Sequence, residues 1–516
     1  MKIIVLVSAL LIAAAAHTQT NPMFANLPVG KYAVGFKIVT FTDDSRVTKP
    51  LYNFFGEKET ADRYRKISLH IWYPAKPNTG KGLLTYGDYC YNYLLSRTDE
   101  QLDTSRIRAQ QNSSRNIFQG FFGPINDNDW NKLKAAPLMA QKDATPLKEK
   151  FPLLIGTLRP LSTSVTNEMM ASNGYVVGMV VNSGGSYPLM YISDVTDMQL
   201  AMAWFARSGM TEENTIGAYG FSGSGFSQVL LAMNDPRINA LADIESALYG
   251  ENLWESLSSS NYCNVSRLRI PFLHIYGKEL ATADKHFHQF HNKKYSDRYH
   301  LLLNQPGLHH WDVATEGRAS TTVLHIRGDK EPGIRANFAL SNIYLLHFFN
   351  AVLKNMHASK QLLATKQRAG NYHDSLWSIT RYPALAPPPD RDQFAQVINR
   401  KGIDTGIAVA RHFFKLDPAA DFLHENILNA LARQYRGQDK RKEGLALMQL
   451  AVEFYPDRAW LWNNLADMHE AFGNKEEAIH CSEKVAAMLA GDKGNAQSFN
   501  QRILRSSQER LKRLKS

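Results

Sequence analysis

The run Gly220-Phe-Ser-Gly-Ser-Gly225 sets a serine hydroxyl among small neighbours, close to the G-x-S-x-G pattern of serine hydrolases, with Ser224 in the fifth place. A serine hydroxyl is a weak nucleophile near neutral pH. It needs a base within hydrogen-bond reach and a carboxylate that orients the base. Two histidines, His309 and His310, stand together in QPGLHHWD. Carboxylates compete at two strand ends: Glu245, with Asp243 two residues before it, in NALADIES, and Glu279 with Asp284 in KELATADK. The first pair is the better placed. The chemistry these residue types allow is acyl transfer: serine attack on a carbonyl, proton transfer through histidine, and an oxyanion held by backbone amides.

The elements that must position them follow from periodicity. TIGAYG (215–220) reads as a strand and GFSQVLLAM (225–233) as a helix, so Ser222 falls on the turn between them. Such a turn demands small neighbours, and serine at 224 meets that demand; the amide of Gly223, at the helix start, points toward charge developing on a substrate oxygen. Short apolar runs at 151–158, 175–181, 238–245 and 270–277, and one starting at His300, alternate with helical segments such as DVTDMQLAMAWFARS. That alternation predicts an α/β fold with a doubly wound, mostly parallel sheet, in which the chain order serine, acid, histidine is the usual one. Two alternating stretches, KYAVGFKIVTFTD and YRKISLHIWYPA, predict strands ahead of it. Between them and the first parallel strand, 78–150 is polar and irregular, with one helix expected near Asp99–Ser114, and reads as an insertion or lid.

At 516 residues the chain exceeds one ordinary domain, and 44% hydrophobic against 21% charged residues excludes a disordered protein. Residues 1–19 have the pattern of a secretory signal peptide, with Lys2 ahead of a short apolar stretch, so the protein is expected to be exported, periplasmic or secreted, with no transmembrane anchor. The three cysteines, Cys90, Cys263 and Cys481, are far apart and odd in number; a Cys90–Cys263 bridge is open, and isolated buried thiols are expected. The formal charge of +11 is spread along the chain, its one dense run being the tail from Arg502 to Lys515, expected to be a solvated helix end; no nucleic-acid partner is expected. His286, His288 and His291 do not share one helix face and predict no metal site, and SGGS (183–186) lacks the ending of a phosphate-binding loop. No cofactor is expected.

The α/β domain is assigned to 20–382 and a proline-rich linker to 383–392. Residues 393–516 read as helical repeats. At an offset of 34 residues Trp462 faces Leu428, Leu465 faces Leu431, Ala466 faces Ala432 and His469 faces Tyr435, and Pro456 closes the earlier unit. This resembles the tetratricopeptide repeat, with 406–418 as a degenerate earlier unit, and it implies a protein partner.

LHIWYPA (69–75), FPLLI (151–155), ASNGYVVGMVVNSGGS (171–186), GFSGSG (220–225), RINALADIES (237–246) and PGLHHWD (306–312) together resemble the α/β-hydrolase family, in the branch of platelet-activating factor acetylhydrolases and dienelactone-hydrolase-like proteins. The resemblance spans about residues 30–350. It implies Ser222 as nucleophile, Glu245 at the family's aspartate position with Asp243 as the alternate, and His310 as base with His309 beside it. Where the family carries His-Gly this chain reads GTLRPLSTS, so the second oxyanion amide falls to Leu158 or Arg159, since Pro160 has none to donate. The implied function is hydrolysis of a small or lipid-like carboxylic ester. The alternatives are an inactive scaffold that binds a partner through its repeats, and a hydrolase of amides or peptides.

Overall fold

The computed structural model describes residues 21–516 except 48–50, 53–54, 59–63, 79, 97–103, 159–162, 182–188, 247–261, 265–266, 279–293, 306, 365–373, 493 and 495–497. The proposed signal peptide, Arg159 and Pro160, the SGGS loop, Glu279, Asp284 and the histidines at 286–291 lie outside the described residues. The chain divides into two units, 1–385 and 386–516, at a point inside the proline-rich segment.

The first unit is built on a ten-stranded sheet: β1 (Ala33–Val47), β2 (Tyr64–Ala75), β3 (Ala140–Lys142), β4 (Phe151–Leu158), β5 (Val176–Val181), β6 (Thr211–Phe221), β7 (Ile238–Ile244), β8 (Phe272–Gly277), β9 (Arg298–Leu303) and β10 (Trp377–Tyr382). Their spatial order is β10-β9-β8-β7-β6-β4-β5-β2-β1-β3. The strands β5, β4, β6, β7, β8 and β9 are mutually parallel, and the antiparallel contacts lie toward the edges, at β1/β2, β2/β5 and β9/β10. Both faces of the parallel strands are covered. Val177, Met179, Tyr219, Ala242 and Ile275 belong to one core with the helices Ser164–Ser172 and Glu331–Val352. Leu153, Ile155, Ala218 and Leu241 belong to the other, with the helices Leu189–Ser208 and Gly223–Asn234. Burial on both sides is why these strands read as continuous apolar runs. Cys90 lies in the first core and Cys263 in the second, and among the described residues no disulfide is formed.

The segment 78–150 departs from the expectation of an irregular lid. Its described residues form three helices, Tyr86–Leu95, Thr104–Phe122, which overlaps the helix expected near Asp99–Ser114, and Asp127–Lys134, together with β3, which pairs in parallel with β1 at the sheet edge. Tyr86, Tyr89, Cys90 and Tyr93 are buried, as are Trp130 and Leu133. Their spacing of three, four and seven residues is the helical stripe that the surrounding polar residues obscured. Each such side chain taken fully out of water contributes about 1.5–3 kcal/mol. A hydrogen-bonded chain ties the insertion to the sheet: Trp72 Nε1 donates to the Tyr89 hydroxyl at 2.8 Å, and Tyr89 and the Met139 amide donate to the buried Glu168 carboxylate. The edge strand β10 was likewise not foreseen.

Among its described residues the second unit has helices and no strand. The helices Glu425–Gly437 and Ala459–Ala471 each have 13 residues and start 34 residues apart, and Arg441–Phe454 and Lys475–Met488 repeat that relation at 14 residues. Leu428, Leu431, Ala432 and Tyr435 in one, and Leu465, Ala466 and His469 in the other, are buried. The basic tail, expected to be solvated, is in part packed. In the final helix, Phe499–Lys515, the Arg510 side chain is 3% exposed and pairs with Asp467 and with Glu470 at 3.2 Å. Arg513 and Lys515 pair with Glu470 and Glu483. The other basic residues of the tail are exposed, and the pairs were missed because a charge run shows only its own sign while the matching carboxylates lie about 30–45 residues away. No helix among the described residues is long and apolar enough to cross a membrane.

Two carboxyls beneath the insertion give the first unit a testable pH dependence. Burial lifts Glu168 to about 7, against the opposing pull of the Tyr89, Met139 and Ala140 hydrogen bonds, and lifts Glu316 to about 8. Both hold protons in the fold that the unfolded chain has already released. Their stabilising contribution is therefore complete below the ordinary glutamate range and is lost as pH rises through 7 and 8. The thermal unfolding midpoint of the first unit should fall as pH rises from about 4.5 to about 8 and level off above that, and Glu316→Gln should flatten the fall, as measured by differential scanning calorimetry across the range.

Candidate active site

At the carboxyl end of β6 the chain turns sharply into the helix Gly223–Asn234, and the turning residue is Ser222, with φ +56° and ψ −137°. For a residue with a Cβ this conformation costs on the order of 1–3 kcal/mol, and it persists only where neighbours over-determine it. Here they do. The Ser222 amide donates to the Ile244 carbonyl of β7 at 2.9 Å, and the Gly225 amide donates to the Ser222 carbonyl at 2.9 Å. Gly225 tolerates no side chain, because a Cβ there would stand 1.6 Å from Ser246 Oγ. Ser224, the odd fifth residue of the pattern, is accommodated in the buried first turn of the helix. The steric demand thus falls on Gly225, one residue later than the pattern places it. Gly223 is the first helical residue, and the first amides of a helix lack intrahelical acceptors.

Glu245 follows β7 directly and also has a positive φ, +52°. Its amide donates to the Ile275 carbonyl of β8 at 2.7 Å, and its Oε1 accepts from the Gly277 amide. The backbone twist turns the carboxylate away from the strand's alternation and across the end of β8. There its Oε2 lies 3.2 Å from Nδ1 of His310. Gly277 makes the approach possible: a Cβ on it would stand 3.1 Å from Glu245 Oε1 and 3.2 Å from Leu308. His310 opens a single 3-10 turn, His310–Val313, and its ring stacks on Phe221 at 4.8 Å and 24°, beside Ser222 in the chain. The Glu245 side chain is 5% exposed and that of His310 is 19% exposed. A carboxylate on Nδ1 leaves Nε2 as the nitrogen for proton transfer.

The two alternates are held elsewhere. Asp243 is wholly buried on the opposite face of β7, beneath the Gly223–Asn234 helix, with its Oδ1 3.1 Å from Nδ1 of His274. Two residues from Glu245, it would share its face in a regular strand; the positive φ at Glu245 breaks that parity. His309 caps the 3-10 turn, its Nδ1 accepting from the Trp311 amide at 3.3 Å. Leu158 ends β4, buried and paired with Val181 of β5. Because β4 lies between β5 and β6, Leu158 and Ser222 flank the point where successive strands are added on opposite sides, which is where open α/β sheets bind ligands.

The sequence did not single out the aromatic wall beside the histidine. Phe121, at the end of the insertion helix Thr104–Phe122, packs on Trp311 at 4.2 Å and 30°, and Trp311 in turn meets Phe221 at 5.3 Å. The pair F121-F122 was a visible signal, but nothing local ties it to a loop nearly two hundred residues away.

Residues 66–256 match the family described as X-Pro dipeptidyl-peptidase (S15 family). A solved structure, the ferulic acid esterase from Streptomyces cinnamoneus, is similar over 69% of this chain and 98% of its own, at 16% identity and a TM-score of 0.44. No curated protein matches the chain. With the strand order and the strand–turn–helix at Ser222, the family match supports an α/β-hydrolase and a hydrolytic activity.

Gly277→Ala should separate the Glu245–His310 pair from the rest of the fold. A methyl at 3.1 Å from Oε1 makes the carboxylate give by a few tenths of an ångström against the histidine, so kcat should fall roughly 10-fold while KM changes little, read from steady-state ester hydrolysis.

Proposed function

We propose that the protein is an exported serine hydrolase that cleaves a carboxylic ester through Ser222, His310 and Glu245. The observation that carries this is the Glu245–His310 contact at 3.2 Å, made next to a serine on a strained strand-to-helix turn. Ser222 Oγ attacks the ester carbonyl while His310 Nε2 takes its proton. The amides of Gly223 and of Leu158 or its successor receive the negative charge on the carbonyl oxygen. Collapse expels the alcohol, which takes the proton from His310, and leaves the acyl group on Ser222. Water, deprotonated by the same nitrogen, then releases the acid. Glu245 holds the tautomer and stabilises the imidazolium. Glutamate in place of the family's aspartate adds one methylene, which the backbone turn at 245 accommodates. The apolar run behind Lys2 supports export. The 34-residue offset of paired helices supports a tetratricopeptide-like module with a protein partner.

Replacing Ser222 with Ala should lower hydrolysis of a short-chain nitrophenyl ester by at least roughly 10³-fold and abolish labelling by a fluorophosphonate, with the far-ultraviolet circular dichroism unchanged. Activity that survives the replacement removes the proposal. The family match over 66–256 favours a second reading, amide cleavage after an X-Pro unit. Turnover of an X-Pro nitroanilide decides between them: none is expected above background while the nitrophenyl ester is hydrolysed, and release of the intact X-Pro unit would favour the amide reading.

A further inference from the structure

The loop that carries His310 is fixed by a group that lies outside the proposed triad. Asp312, two residues after the histidine, is wholly buried. Its Oδ2 accepts from the His309 amide at 2.7 Å, and its own amide donates to the His309 carbonyl at 2.8 Å, so the backbone just before His310 is tied to Asp312 through both the carboxylate and the amide. That carboxylate is in turn met by the fork of Arg327, through Nη1 to Oδ1 at 2.5 Å and through Nη2 to Oδ2 at 3.2 Å. A buried carboxylate without such a partner is strongly unfavourable, and a two-pronged guanidinium fixes its plane as well as its charge. The other face of Arg327 lies over the ring of Phe122, 5.4 Å from the ring centre. Phe122 ends the insertion helix, next to the Phe121 that packs on Trp311.

We propose that Arg327 is a positioning residue for His310, holding the histidine loop in reactive register through Asp312 and joining that register to the insertion through Phe122. The inference rests on the assignment of His310 as the base. Arg327 touches no reacting atom. Its effect runs through the Asp312 carboxylate to the His309 amide, and so to the angle at which His310 meets Glu245 and Ser222. The insertion thereby acts on the chemistry from behind the histidine, in addition to whatever it contributes to a substrate pocket.

The test uses the full chain and two readouts, steady-state hydrolysis of a nitrophenyl ester and the second-order rate of fluorophosphonate labelling at Ser222. Arg327→Met should lower kcat roughly 10–100-fold, with KM within about twofold, and should slow labelling by the same factor. Arg327→Lys should recover only part of that loss, because an ammonium supplies the charge without the fork. The deciding measurement is made in a His310→Ala background: there Arg327→Met should leave the residual labelling rate unchanged, since the residue it positions is gone. Should Arg327→Met fail to accumulate as folded protein, Asp312→Asn, which keeps the shape and loses the ion pair, takes its place in the same comparison. The proposal is overturned if the variants lose thermal stability but keep wild-type kcat, or if the full loss persists without His310. Labelling that persists in the Ser222→Ala variant identifies a different fault, in the hydrolase assignment itself, and overturns both.

Discussion

The Ser222 amide donates across the sheet to the carbonyl of Ile244, and one residue further along that strand the Glu245 amide donates to the carbonyl of Ile275. These two bonds continue the parallel ladder one step past the regular ends of β6 and β7, and at that step both chains take a positive φ. Register between neighbouring strands is therefore what sets the serine and the carboxylate at one level. A slip of one residue in β7 would move every side chain to the other face and set Ile244 or Ser246 where Glu245 now stands. Two residues held in left-handed backbone are a local cost that the surrounding parallel sheet, covered on both faces, is stable enough to hold.

The insertion changes meaning in this setting. A polar segment between two strands is ordinarily read as a lid over a finished core. Here its tyrosines and tryptophan are part of the core, and its network through Tyr89 reaches Glu168, whose carboxyl is lifted by burial. The same segment ends in Phe121 and Phe122, against Trp311 and Arg327. One stretch of chain thus serves both the stability of the sheet edge and the setting of the histidine loop. Changes to it should affect both, which is a reason to measure kcat and unfolding together in any variant of this region.

Much of this architecture was legible from residues alone. The strand bounds at 151–158 and the helix after Ser222 follow from apolar runs and from the periodicity switch, because both are local properties of the chain. Of the helices in 78–150 only the one near Asp99–Ser114 was legible, and the two that bury tyrosines and a tryptophan were not. Their buried residues are tyrosines, a cysteine and a tryptophan set among asparagines and charges, so average polarity hid a stripe that spacing would have shown. The packing of Arg510 was missed for a different reason: ion pairs join residues far apart, and sequence supplies only one partner at a time.

For the candidate site the division is similar. The sequence by itself determined that Ser222 sits on a tight turn among small residues, that a histidine pair follows the last parallel strand, and that two carboxylates stand at the end of β7. These are statements about residue type, size and local period. Only the tertiary structure decided that Glu245, 65 residues from His310, is the carboxylate on its Nδ1, that Asp243 is turned toward His274, and that Arg327 stands behind the loop. The physical reason is that a positive φ at one residue and the register of three strands fix where a side chain points. Both are settled by what packs around them and leave little trace in the local pattern.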